Sequence, residues 1–252
     1  MKTWTPLIIL LSALGATLPA VSQTRSFTNS PMNAVPMPID MGRESKAKQL
    51  VSNRVVRAYR VDLQPGEATS VDRHEHDFLV ISLGDSRFEF AGTANAYAMT
   101  MSDGEVQVMK GRWPHRIVNK SQKSLHLVEV EVEREIAPER AICGLNGQSC
   151  SGAKFAVNDD TNYVESRLFE TPSVRIEKVE IAPGKGMPEH GHREDHLMVA
   201  LNDQQVSNAV VAGDILEMIS HAGDASWMSG GIVHRIVNHG SAPARFLTIE
   251  CK

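Results

Sequence analysis

Only three cysteines, few aromatic residues and no run of basic side chains occur in this 252-residue sequence. None of the cysteines has zinc-finger spacing, which excludes the usual cysteine-built metal sites. Aromatic residues make up 5% of the chain, too few for a platform on which bases stack. A formal net charge of −4, with Lys and Arg scattered, argues against nucleic acid or an anionic membrane surface as partner. No stretch after residue 50 carries a long 3.6-residue apolar period, so long amphipathic helices are not expected there. What is present, 42% apolar and 22% charged residues, is an ordinary globular composition. The length suits one large domain or two of about 100–125 residues.

The one long apolar run stands at the start. Lys2 precedes "PLIILLSALGATLPA", which Gly15 and Pro19 interrupt, and Ala20-Val21-Ser22 offers small side chains where a signal peptidase reads. Residues 1–22 are therefore expected to be a cleaved signal peptide, with an uncleaved anchor as the alternative. The mature chain would be exported, to a periplasm or out of the cell, with no membrane partner. In an oxidising compartment Cys143 and Cys150, which bracket "GLNGQS", are candidates for a disulfide closing a small loop. Cys251, next to the C-terminus, reads as a small apolar filler.

The sequence repeats itself. "VVRAYRVDLQPG" (55–66) returns as "SVRIEKVEIAPG" (173–184) at an offset of 118, and "HRIVN" occurs unchanged at 115–119 and 234–238, at an offset of 119. One insertion or deletion separates the two blocks. Within each copy, alternating segments end in a Pro-Gly turn ("RVDLQPG", "KVEIAPG"), and short apolar runs follow ("FLVISL", "HLMVAL"). "VQVMKG" and "DILEMIS" come next, then "LHLVEVEVE" and "RFLTIEC" close each copy. Many short strands separated by turns predict an all-β chain of sandwich or barrel type. The expected organisation is an N-terminal arm at 23–50, a first unit at 51–133, a linker at 134–169 and a second unit at 170–252.

The chemistry concentrates in "PEHGHREDHLMVAL" (188–201), where His190, His192 and His196 share parity and so one face of an extended strand. Adjacent same-face positions are about 6.6 Å apart, within reach of one ion. Glu194 has the same parity and is a candidate ligand, hydrogen-bond acceptor to a ligating imidazole, or base; Asp195 is a further candidate base. Here the sequence resembles the cupins, which carry the signatures G-x5-H-x-H-x3/4-E and G-x5-P-x-G-x2-H-x3-N. Gly184 leads through five residues to His190-Gly-His192, with His196 where the family usually has Glu. Gly223 leads through Ser229, Gly230 and Gly231 to His234 and Asn238, with Ser229 replacing the proline.

The resemblance covers both copies and implies two tandem cupin (double-stranded β-helix, jelly-roll) barrels. It implies a metal set of His190, His192, His196 and His234. The first copy is more worn: Asp72 falls at the place of His190, His74 at that of His192, Phe78 at that of His196 and His115 at that of His234. A possible second site would use His74 and His115 with Asp72 or His76; a degenerate, structural barrel is the alternative. The expected cofactor is one divalent transition metal, since imidazole suits Fe, Mn, Zn, Ni or Cu alike. The expected partner is a small molecule, with a homodimer implied by the family only. Two functions stay open: a metal-dependent, dioxygenase-like enzyme acting on a chelating substrate, or an exported module that binds a ligand around a structural metal.

Overall fold

The computed structural model describes residues 37–92, 96–133, 155–159 (backbone only), 162–211 and 213–252. The segment expected to be a signal peptide, most of the expected arm, and the candidate disulfide pair Cys143 and Cys150 lie outside the described residues. Among those residues the chain is almost wholly β, with one 3-10 turn at Met41–Arg43, and no helix is long and apolar enough to cross a membrane.

The first unit contains β1 (Ala47–Ser52), β2 (Val56–Leu63), β3 (Phe78–Ser82), β4 (Ser86–Gly92), β5 (Ala96–Met101), β6 (Val106–Met109), β7 (His115–Asn119) and β8 (Leu125–Val132). They form two sheets, ordered β1-β2-β8-β3-β6 and β5-β4-β7. The second unit contains β9 (Phe155–Asp159), β10 (Tyr163–Glu170), β11 (Val174–Ile181), β12 (His190–Gly191), β13 (His196–Ala200), β14 (Gln204–Val210), β15 (Ile215–Ser220), β16 (Ala225–Met228), β17 (Val233–Asn238) and β18 (Ala244–Cys251). Its sheets run β9-β10-β11-β18-β13-β16 and β12-β17-β14-β15. In both units an early strand pairs antiparallel with the last one, β2 with β8 and β11 with β18. This is the crossed strand order of an eight-stranded jelly roll.

The register dates the insertion. Gly92 and Val210 end matching strands at offset 118, whereas Ala96 and Ile215 open the next pair at offset 119, so the extra residue sits in that hairpin. The pairing also corrects the expected correspondence of strands: "VQVM" matches Ala225–Met228, and Ile215–Ser220 matches Ala96–Met101. Pro-Gly turns end β2 and β11 alike, with Gly66 at φ 78° and Gly184 at φ 68°, a region open to glycine at no steric cost.

Strands also extend into segments that composition assigns to arm and linker. β1 begins at Ala47, and β9 and β10 occupy 155–159 and 163–170. The reason is that β10 alternates in the opposite sense to a core strand: Tyr163, Glu165 and Arg167 sit opposite Ile181, Val179 and Glu177, on the concave face. Charged residues turned inward hide a strand from hydrophobic periodicity.

The short apolar runs have a direct cause. All five residues of β3 and of β13 are buried, because both faces of each strand are covered. Phe78 and Val80 point into the first barrel. Leu79, Ile81, Leu197 and Val199 join Val128, Val130, Leu247 and Ile249 in one apolar cluster contributed by both units. Cys251 belongs to this cluster and is 6% exposed. Ion pairing adds to it at the edge, where Arg245 meets Asp103 at 2.6 Å. Leu79→Ala is expected to cost about 2–5 kcal/mol in urea denaturation, the usual loss for a buried leucine. Leu216→Ala, at a position 59% exposed, should change stability by less than about 0.5 kcal/mol.

Candidate metal centre

β12 and β17 are paired so that His190 stands opposite His234. Two residues on, in the turn before β13, His192 faces the same space, and one nitrogen from each of His190, His192 and His234 lies within 4.8 Å of the others. The ring centroids of His190 and His234 are 4.4 Å apart, and those of His190 and His192 are 5.3 Å apart. His196, the first residue of β13, packs on His192 at 4.0 Å but lies 6.1 Å from His234. The arrangement is thus a close triad with a fourth imidazole set back.

Hydrogen bonds fix which nitrogen each ring presents. His190 donates from Nδ1 to the Pro188 carbonyl (3.0 Å), and His234 donates from Nδ1 to Asn208 Oδ1 (2.8 Å). Both rings then offer Nε2 as a lone pair, the second-sphere arrangement that orients metal-ligating histidines. The Nε2 atom of His234 is buried and meets no hydrogen-bond partner. His192, His196 and His234 are all held neutral, with pKa values pushed down to about 4, first by burial and then by the neighbouring imidazoles. Neutral, oriented, converging imidazoles with an unmatched lone pair fit a divalent transition metal.

Space around the triad comes in two parts. An inner chamber of about 10 Å³, room for one small ion or water, is bounded by the four histidines, Met198, Met228, Thr248 and Glu165. It adjoins a vestibule of about 200 Å³. Four residues line both: Glu165, Met187, His190 and His192. Glu165 is the carboxylate that the sequence reading missed, since it lay in the presumed linker; its pKa is raised by burial and by Glu177. Arg167 and Arg175 also line the vestibule. Arg167 is bonded to Glu177 (3.0 Å) and Glu170 (2.9 Å), and Arg175 to Glu250.

Glu194, expected to face the metal, does not. Its backbone N–H donates to Glu250 Oε1, and with Asp195 and Arg193 it lines a different cavity of about 400 Å³ reached also by Arg54 and Val55. The turn between His192 and His196 breaks the extended geometry on which parity depends. That larger cavity contains none of the four histidines, so its size does not make it the metal centre.

In the first barrel the structure brings Asp72, His74 and His115 within the same 4.8 Å limit, with Asp72 bridged to His115 as His190 is to His234. The surroundings differ. Phe78 stacks on His74 at 3.9 Å, filling the place of His196. His74 lies between Glu129 and Glu131, 3.5 Å from each. Burial alone would lower its pKa, but the two carboxylates raise it to about 10. His115 is pushed down to about 4 by burial, and Asp72 up to about 8 by burial and Glu129. This group is a charged pair walled by aromatic rings as much as a ligand set. His76 is outside it, turned toward Glu131 (3.3 Å) and Glu133 (3.4 Å).

No family model and no curated protein matches the sequence. Solved structures do match the fold. Bacillus subtilis oxalate decarboxylase superposes with a TM-score of 0.59 at 11% identity, over 85% of this chain and 76% of that one. A further structure of the same enzyme concerns its Mn(II) centres. AerE from Microcystis aeruginosa superposes with a TM-score of 0.60 at 11% identity, over 82% of this chain and 97% of that one. The strand order, the repeated histidine-bearing pairings and these superpositions agree: the chain has the all-β jelly-roll fold of the cupins.

Proposed function

We propose that the chain is an exported bicupin whose second barrel is a metal-dependent enzyme acting on a small chelating molecule, with dioxygenase-like chemistry. The observation that carries this reading is the close triad of converging imidazoles opening on a vestibule, with His196 set back. Three protein ligands and an open side distinguish a reactive centre from a saturated structural one. A metal bound there would supply Lewis-acid polarisation and a template for a chelating ligand and dioxygen. The protein's own part is orientation by Pro188 and Asn208, exclusion of bulk water by Met187, Met198 and Met228, and a carboxylate at Glu165. The vestibule of about 200 Å³ corresponds to about seven water volumes, which suits a diketone or single-ring catechol better than a flavonoid. The first barrel, with its His74–glutamate pairs and stacked Phe78, serves the fold.

The test is metal analysis of the purified mature protein, followed by oxygen uptake with acetylacetone and catechol after loading with Fe or Mn. Near-stoichiometric metal and ligand-dependent oxygen uptake are expected. Stoichiometric metal with no uptake for any loading would favour a non-catalytic binding module built on the same site.

A further inference from the structure

The duplication supplies an internal control for every side chain of the second barrel. Pairing registers align β1 with β10: Ala47 stands opposite Val61, and Glu165 stands opposite Val179, each at an offset of 118. At this place in the wall the first barrel keeps a methyl group that packs against its apolar core, while the second places a carboxylate on the boundary between inner chamber and vestibule. A glutamate facing inward on a barrel wall costs stability unless it is used.

Its neighbours show what it is not for. Glu165 forms no ion pair within 4.0 Å among the described residues, although two arginines line the same vestibule. Arg167 is engaged by Glu170 and Glu177, and Arg175 by Glu177 and Glu250. Among the described residues that line the vestibule, no arginine is therefore left over to receive a carboxylate ligand, and the unengaged ionisable group on the approach to the histidines is a carboxyl group.

Resting on the metal-site reading above, we propose that Glu165 accepts the proton of a neutral hydroxyl- or enol-bearing ligand as that ligand's oxygen enters the imidazole cluster. The ligand O–H bond breaks, its electron pair stays on the ligand oxygen, and a new O–H bond forms on the Glu165 carboxylate; no other reactant is required. The substrate class is accordingly a small neutral weak acid such as an enolisable diketone, rather than a fully ionised dicarboxylate.

The experiment is calorimetry of the Mn-loaded full-length mature protein with acetylacetone, in two buffers of different ionisation enthalpy, for wild type, Glu165→Gln and Glu165→Asp. Wild type should release almost no proton to buffer, whereas Glu165→Gln should release about one per ligand and bind about tenfold more weakly. Glu165→Asp should restore part of the proton retention. Metal content should be equal in all three, and oxalate, which brings no O–H at neutral pH, should bind Glu165→Gln at least as well as wild type. Equal proton counts in wild type and Glu165→Gln overturn the assignment while leaving the metal site standing, as does an equal weakening of oxalate and acetylacetone. Failure of the wild type to hold metal overturns both, whereas metal held without acetylacetone binding overturns the Glu165 assignment and leaves the metal site standing.

Discussion

His234→Ala is expected to abolish metal retention, lowering affinity by more than the ~10–100-fold that loss of a second-sphere partner usually costs. The reason lies in its position. His234 stands opposite His190 in the β12–β17 pair and is fully buried, with its Nε2 otherwise unmatched. Removing it takes away a member of the close triad and leaves no side chain able to swing in, because His196 is held on β13 against His192. Asn208→Ala grades the effect. It leaves all four histidines in place but removes the acceptor at 2.8 Å that fixes which nitrogen His234 presents, so affinity should fall by about 10–100-fold. Competition with a calibrated chelator, read by metal analysis, measures both. Unchanged metal content in His234→Ala would remove the second barrel as the metal site.

The second large effect is acid sensitivity of the metal-stripped protein. His192, His196 and His234 titrate at about 4 in the fold against an ordinary 6.5, so between those values the unfolded chain binds more protons than the folded one. Stability then rises with pH: this contribution is complete above 6.5 and is lost as pH falls to 4. One such shift corresponds to about 3 kcal/mol, and the three do not add fully because each ring partly causes the others' shifts. Asp72 works in the opposite sense, since its carboxyl is held protonated up to about 8, and Glu165, raised by burial and by Glu177, shifts in the same direction. Three groups outweigh these two in that window. His74, raised to about 10, contributes below 6.5 in full and is lost only as pH rises toward 10. Urea midpoints measured with excess chelator should therefore fall steeply from pH 6.5 to 4. His196→Phe, which copies Phe78, should flatten the slope by about one proton. A slope identical in wild type and variant would show that His196 is not held neutral by the fold.

Much of this was legible in the sequence, and the failures have identifiable causes. The Pro-Gly turns, the repeat and the two doubly buried strands could be read because turn chemistry and apolar runs are local signals. His190, His192 and His234 could be singled out, within an expected set of four that included His196, because His190 and His192 are alternate residues and "HRIVN" is repeated. Glu194 was misplaced because parity holds only while the backbone stays extended, and the chain turns between His192 and His196. Glu165 was missed for the converse reason: a strand whose inward face is Tyr, Glu and Arg has no hydrophobic signature. Its only signal is in the pairing, opposite Val179, which needs three dimensions to be seen.

The apolar cluster shared by the two units also bears on how the protein behaves on dilution. A lone jelly roll of this kind would expose Leu197, Val199, Leu247 and Ile249 along the back of the strands that carry His196, and would need a second subunit to cover them. Here the covering copy is tethered in the same chain, at an effective concentration set by the linker rather than by the cell. The half that carries the histidine triad is thereby stabilised to the same degree at nanomolar and at millimolar protein.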